Sequence, residues 1–544
     1  MATDDVHPYV ELLFAHDPIL ASVQGDERGN DRLGDIEPGA FSDLATARIR
    51  MLAEAEAVPP EAPGTQAWLE QAVLRTELRT AARRDEVERP WQRAPYWYAE
   101  RLGDALSVLM QPGDDRPQTG EALLARLREL PAYCEQAVRN LTDDSPAEWV
   151  AMGRAAARGL QPLIGTAVPG FAATMPEALA ADISRAAQAA STAAQGFSDS
   201  LGELAGRAHG QWQCGAEHVD FLLREYHHLD LDAEALAQRG RELVESERAE
   251  LEAFAAALDP ATSWHDQVDR VKDWHPEPAD FLDTYRTQMH RARDHTVEHG
   301  LLTLPDDEVC RMDWVPEYQR EGLPLGVMSP SPPYAPGLRS GFLITPADEH
   351  ATPEQRLQHM RDNCYVFATS IAGHETYPGH HVQYVHHKLG TDRGSILRYF
   401  STPQLVEGWG LYVEDLLEET GFMADDRVRL FKRRNGLWRA LRVVVDVGLH
   451  TGTLEVDAAT ELMQREAGMD AHMAAGEVRR YTRHDNPTYP SSYILGRDLL
   501  HEVRTAEEQR AGAAFSLRAF HDALLAHGSP PVPLLRQLAG GGCL

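Results

Sequence analysis

Apolar residues recur three and four positions apart over most of the chain, in segments rich in Ala, Leu, Glu and Arg. That period matches the turn of an α-helix and predicts helices over 121–142, 146–160, 176–206, 233–258, 278–298, 353–376, 403–419, 427–450 and 490–510. Only the stretch from about 308 to 346 reads differently. There Glu308–Met312 and Gly341–Thr345 have the character of short strands around a Pro/Gly/Ser-rich segment, which predicts a β-ribbon or small sheet. Glu56–Gly64, Gln111–Arg116 and Pro330–Pro336 read as loops, and Gly540–Gly542 as a frayed end. The expected fold is mainly α, a large helical body with one small sheet. A chain of 544 residues exceeds the length at which a single core stops growing. A boundary near residue 300 separates a helical scaffold region, 1–300, from a region, 301–544, that holds the candidate chemistry, and the two are expected to pack as one unit.

Charge narrows the partners. With 52 basic and 84 acidic residues the net charge is −32, which opposes binding to nucleic acid or to an anionic membrane surface. Met1–Asp5 has no secretion-signal pattern and no window approaches 18 uninterrupted apolar residues, so cytoplasmic residence is expected. Cys134, Cys214, Cys310, Cys364 and Cys543 lie far apart with no CxxC pair, as reduced packing thiols do.

The density of histidine between His374 and His387 demands an explanation. Five of the 24 histidines fall in 14 positions, where chance places fewer than one. Leu357, Met360, Cys364, Phe367 and Ile371 form an inward stripe that His374 continues, although a core histidine would satisfy the same period. In the familiar zinc helix, His-Glu-x-x-His sets two imidazoles at i and i+4, with Glu as the base for an activated water. Here Pro378 occupies i+4 and the next histidine, His380, stands at i+6, about 120° away on a regular helix. Pro378 removes a donor and clashes with the turn before it, and Gly379 admits unusual backbone angles. A bulge or kink there brings His380 back to a metal beside His374, with His381 as the competing ligand and Glu375 as the base.

The motif His-Glu-x-x-Pro-Gly-His-His-x-Gln, His374 to Gln383, resembles the hallmark of a bacterial family of unknown function, domain-of-unknown-function family 885, whose members look like zincin metallopeptidases. The likeness extends to Val406–Glu414, Tyr493–Gly496 and Phe520-His521, and so to most of the chain. It implies a zincin-like body with a deep cleft, a Zn2+ cofactor, and an acidic third ligand on a later helix. Glu407 fits that role by its Val-Glu-Gly-Trp context, which is similar to the ligand context of thimet-oligopeptidase-like enzymes, and Glu414 would orient a ligand histidine. Periodicity alone puts Leu405, Trp409, Tyr412 and Leu416 on the apolar side, and Glu407, Glu414 and Glu418 opposite, as a solvated acidic face would be.

His484, Tyr489 and Tyr493 resemble the His and Tyr pattern lining the active site of the same enzymes, and Tyr489, Tyr493 and Arg497 share one helical face. They are candidates for binding an oxyanion or a carboxylate, or for packing and ion pairing. The resemblance implies a zinc-dependent hydrolase of short peptides. A zinc hydrolase of a non-peptide amide or specialised metabolite is the alternative, because Gly326–Pro336 departs from the family pattern where specificity is set. A catalytically silent binding protein is the third reading. The sequence leaves the oligomeric state open.

Overall fold

The Asp232 carboxylate accepts a hydrogen bond from the Ala235 amide and starts a helix that runs from Ala233 to Leu258, the span its periodicity predicts. The computed structural model describes residues 5–111, 116–316, 320 and 326–540. About 70% of the chain is helical. Helices at Pro117–Asn140, Ala147–Pro162, Glu177–Ala205, Phe281–Glu298, Pro403–Glu419, Asp426–His450 and Tyr489–Ala511 correspond to predicted ones. The loop at 58–64 begins two residues later than expected, because the preceding helix extends to Ala57. Most of the expected Gln111–Arg116 loop, the tail beyond Gly540 and Cys543 lie outside the described residues. The other four cysteines are free thiols, and no described helix is long and apolar enough to cross a membrane.

The exceptional stretch forms a mixed sheet rather than a two-stranded ribbon. β1 (Glu308–Trp314) pairs in parallel with β3 (Leu338–Ile344), and β2 (Gly326–Ser329) pairs with β3 antiparallel, giving the order β1-β3-β2. A parallel pair requires a long connection, and the segment between β1 and β3 supplies it. Residues alternate across β1, so Glu308, Cys310 and Met312 face inward while Val309 and Arg311 face out. The sheet thus carries an inward carboxylate, Glu308, towards the histidine-bearing helices.

The predicted helix 353–376 is two helices, Pro353–Asp362 and Tyr365–Glu375. Asn363 and Cys364 interrupt it, and the Asn363 side chain is fully buried against the Tyr285 hydroxyl at 2.7 Å. The inward stripe is therefore broken, and Leu357, its first member, is 51% exposed. Two buried apolar cores organise the chain. One is built from residues between Ile19 and Leu204. The other runs from Tyr9 to Leu538, contains Trp409, Tyr412 and Tyr493, and surrounds the candidate site.

Candidate metal centre

The Tyr365–Glu375 helix ends where Thr376 leaves helical angles, at φ −112° and ψ −84°. A cis Tyr377–Pro378 peptide follows, and Gly379 caps a second helix, His380–Gly390. The chain folds back so closely that a Cβ on Gly379 would lie 1.8 Å from the His374 carbonyl oxygen, which only glycine allows. The expected kink within one helix is therefore a break between two. The break returns His380 to His374, with ring centroids 4.7 Å apart. One ligand atom each from His374, Glu375 and His380 falls within 4.8 Å of the others.

The third element is the Pro403–Glu419 helix, and its fit depends on glycine. A Cβ on Gly410 would sit 2.4 Å from His374 Cε1 and 2.6 Å from Nε2, so the missing side chain makes room for that imidazole. Gly408 faces Gly496 of the Tyr489–Ala511 helix, where a Cβ would lie 2.6 Å from the opposing backbone. This close approach lets the Tyr489 hydroxyl donate to Glu407 Oε1 at 2.5 Å and lie 3.3 Å from the Tyr493 hydroxyl. Glu407 Oε2 is 3.6 Å from His380 Nε2.

Neighbours hold both imidazoles by their far nitrogens. His374 Nδ1 donates to Glu414 Oε1 at 2.8 Å, and Ser370 donates to the other Glu414 oxygen at 3.3 Å. His380 Nδ1 donates to Gln383 Oε1 at 3.1 Å. Both Nε2 atoms are thereby left on the cluster side, as the coordinating nitrogens of metal-binding histidines are. Burial disfavours a charged His380, yet the adjacent Glu407 and Glu375 carboxylates override it and raise its pKa above the usual imidazole value. Glu407 is likewise buried, and the His380 and His374 rings and the Tyr489 hydroxyl hold it well below the usual carboxylate range. The field at this point favours a cation. Two imidazole nitrogens and carboxylate oxygens are a donor set that suits zinc.

Glu407 and Glu414 are buried, 9% and 6% exposed. The expected solvated acidic face is absent because this helix is covered on its polar side as well, by the Tyr365–Glu375 and Tyr489–Ala511 helices. His381 turns away from the cluster. Its Nε2 donates to Glu308 Oε2 at 2.7 Å, where the Tyr377 hydroxyl also donates at 2.6 Å, and Arg293 pairs with the other Glu308 oxygen at 3.2 Å. His484 bonds to Tyr96 at 2.7 Å and packs against Trp149. Arg497 pairs with Glu247 at 2.9 Å. The structure therefore brings His374, Glu375, His380, Glu407, Glu414, Tyr489 and Tyr493 together, and engages His381, His484 and Arg497 elsewhere.

Tyr384, half-buried beside the cluster, was not singled out from the sequence; desolvation, Glu407 and Glu375 raise the pKa of its phenol. Its i+4 spacing from His380 was the available signal. Glu308, 73 residues from its partner His381, was also missed, and no local signal for it exists.

Fold and site together define a large helical protein built around a His–Glu cluster whose ligand atoms lie close enough to share a cation. The model of a family described as "Bacterial protein of unknown function (DUF885)" matches residues 18–538, and the chain belongs to that family. No curated protein matches it. Among solved structures it is similar to one from Colwellia psychrerythraea called a putative lipoprotein, at 16% identity and TM-score 0.82. It is also similar to a putative lipoprotein of unknown function from Shewanella oneidensis, at 19% identity and TM-score 0.77. Each likeness covers 98% of both chains, so the fold is shared over its whole length.

Proposed function

We propose that the protein is a zinc-dependent hydrolase, a metallopeptidase acting on short peptides. The observation that carries this reading is the return of His380 to His374 and Glu375, with both histidines oriented through Nδ1 and Glu407 alongside. His374, His380 and Glu407 would hold the ion. When bound, zinc supplies Lewis acidity, acidifying a water and polarising a carbonyl.

The rest falls to the chain. Glu375, half-buried beside the cluster, takes a proton from the attacking water at its carboxylate and delivers it to the leaving amine. Tyr489 is committed to Glu407 and fixes that carboxylate. The neighbouring Tyr493 hydroxyl is the donor available to a developing oxyanion, a role worth about 3–4 kcal/mol where such a donor is preorganised. Burial keeps both phenols protonated by raising their pKa, with Glu407 acting in the same direction.

Glu375→Gln tests the reading. Zinc content should be unchanged while hydrolysis of a mixed short-peptide pool, read by mass spectrometry, falls by at least about a hundredfold. Undiminished cleavage in this variant would remove Glu375 from the mechanism, and no cleavage by the zinc-loaded wild type would sink the peptidase assignment.

A further inference from the structure

Behind the two tyrosines lies a group of cations, Arg439 and Arg442 buried and Arg480 half-buried, that the proposed chemistry does not use. The Asp426–His450 helix carries Trp438, Arg439 and Arg442, and the Ala471–Tyr481 helix carries Glu477 and Arg480. A guanidinium is stable in a protein interior only where hydrogen bonds or opposite charge replace its water. Glu477 meets part of that need. Its Oε1 is 2.5 Å from Arg442 Nη2 and accepts from the Tyr481 hydroxyl at 2.6 Å, while Oε2 is 3.2 Å from Arg480 Nη2.

Neither Glu477 oxygen pairs with Arg439. That residue is 8% exposed, and its Nε and Nη1 have no hydrogen-bond partner among the described residues. Glu414 and Glu477 act on it through space, but Glu414 is hydrogen-bonded to His374 and Ser370, and Glu477 to Tyr481 and Arg480. The Arg439 guanidinium stacks over Trp438 at 4.0 Å and lies 5.3 Å from the Tyr493 ring centre, and Arg442 lies 4.4 Å from both rings. Nε and Nη1 of Arg442, Nε of Arg480 and Nε1 of Trp438 also lack an acceptor.

A carboxylate supplies what this group lacks, a negative charge and two acceptor oxygens that match the guanidinium fork. Its location indicates which carboxylate. Arg439 and Arg442 flank the Tyr493 ring, the Tyr493 hydroxyl is 3.3 Å from that of Tyr489, and Tyr489 bonds Glu407. An anion held by the arginines would thus be separated from the candidate metal ligands by two phenols. A peptide whose reacting carbonyl lay at the cluster and whose chain ended past the two phenols would bring its terminal carboxylate to these arginines.

We infer that Arg439, assisted by Arg442, forms a recognition subsite for the free C-terminal carboxylate of a short peptide, so that the enzyme reads its substrates from the C-terminus. The identity of the bond cut rests on the hydrolase reading above; the binding of the carboxylate does not.

The test compares a pool of tripeptides having free C-termini with the same pool amidated. Both are presented to the full chain, zinc-loaded and chelator-treated, and binding is read by affinity selection with mass spectrometry. Wild type should prefer the free acids by about tenfold or more in both states, as a charged hydrogen bond predicts. Arg439→Met, which keeps an apolar stem against Trp438, should bind both pools at the amide level with unchanged zinc content and circular dichroism. If that variant does not fold, Arg439→Lys carries the test and should lose most of the preference, because it keeps the charge but not the fork. Equal binding of acids and amides by wild type, or an equal loss of both in a folded variant, would overturn the subsite. A retained acid preference without cleavage would support the subsite while removing the hydrolase reading.

Discussion

Gly410→Ala isolates the contact between the Pro403–Glu419 helix and His374. The added methyl would sit 2.4 Å from His374 Cε1 and 2.6 Å from Nε2, against about 3.5–4.0 Å for an ordinary carbon contact. Roughly 1 Å of clearance must come from somewhere. The ring is pinned at Nδ1 by Glu414 at 2.8 Å, and the helix carrying Gly410 is itself locked against the Tyr489–Ala511 helix at Gly408 and Gly496. Either the imidazole swings off its position or the helices part, and overpacking of this kind typically costs about 1–3 kcal/mol. If the imidazole yields, zinc affinity should fall about 10–100-fold. Competition with a chromophoric chelator measures the affinity, and melting in excess chelator measures the metal-free fold. Gly476→Ala, where a Cβ meets nothing within 4 Å, is the control. Zinc affinity within twofold of wild type for Gly410→Ala, with unchanged melting, would refute the placement of His374 as a ligand against this helix.

Two further perturbations follow from the same packing. A Cβ on Gly496 would lie 2.0 Å from the Gln404 carbonyl oxygen, so Gly496→Ala should destabilise the fold by about 1–3 kcal/mol; unchanged denaturant unfolding would show that the helices are not in that contact. Mild acid should also destabilise the protein. Burial first of all depresses His387, His450 and His521 to about 4 and His227 to about 3. Their stabilisation is complete above the unfolded value near 6.5 and is lost as pH falls through that value towards 4, about 2 kcal/mol each between pH 7 and 5. Asp446 and Asp104, which desolvation raises to about 7 and about 6, work in the opposite sense and return about 2 and, with the exposed Asp104 screened by solvent, about 1 kcal/mol over the same interval. The net loss of roughly 5 kcal/mol is a large fraction of typical stability, so thermal melting should drop steeply from pH 7 to 5. A flat profile would contradict the burial of neutral imidazoles.

The helical class was legible because its signal is local and repeated, as at Ala233–Leu258. The break at Asn363 was not, since it depends on the Tyr285 hydroxyl from a distant helix rather than on a proline or glycine. Glu407 and Glu414 read as solvated because periodicity recognises one apolar face, whereas their helix is enclosed and each carboxylate is matched by a partner elsewhere in the chain. The Pro-Gly interruption correctly marked the place where His380 returns to His374, but as two helices rather than one distorted helix. Arg439 gave no sign at all, because its lack of a partner is a property of the packed interior.

The central claim is that His374, His380 and Glu407 hold a metal. Metal content by mass spectrometry on folded wild type, His380→Ala, His381→Ala and Glu407→Ala tests it most directly. One zinc per wild-type chain is expected, lost in His380→Ala and Glu407→Ala and kept in His381→Ala, whose imidazole is engaged by Glu308. No zinc in wild type after reconstitution, or equal loss in His381→Ala, would contradict it.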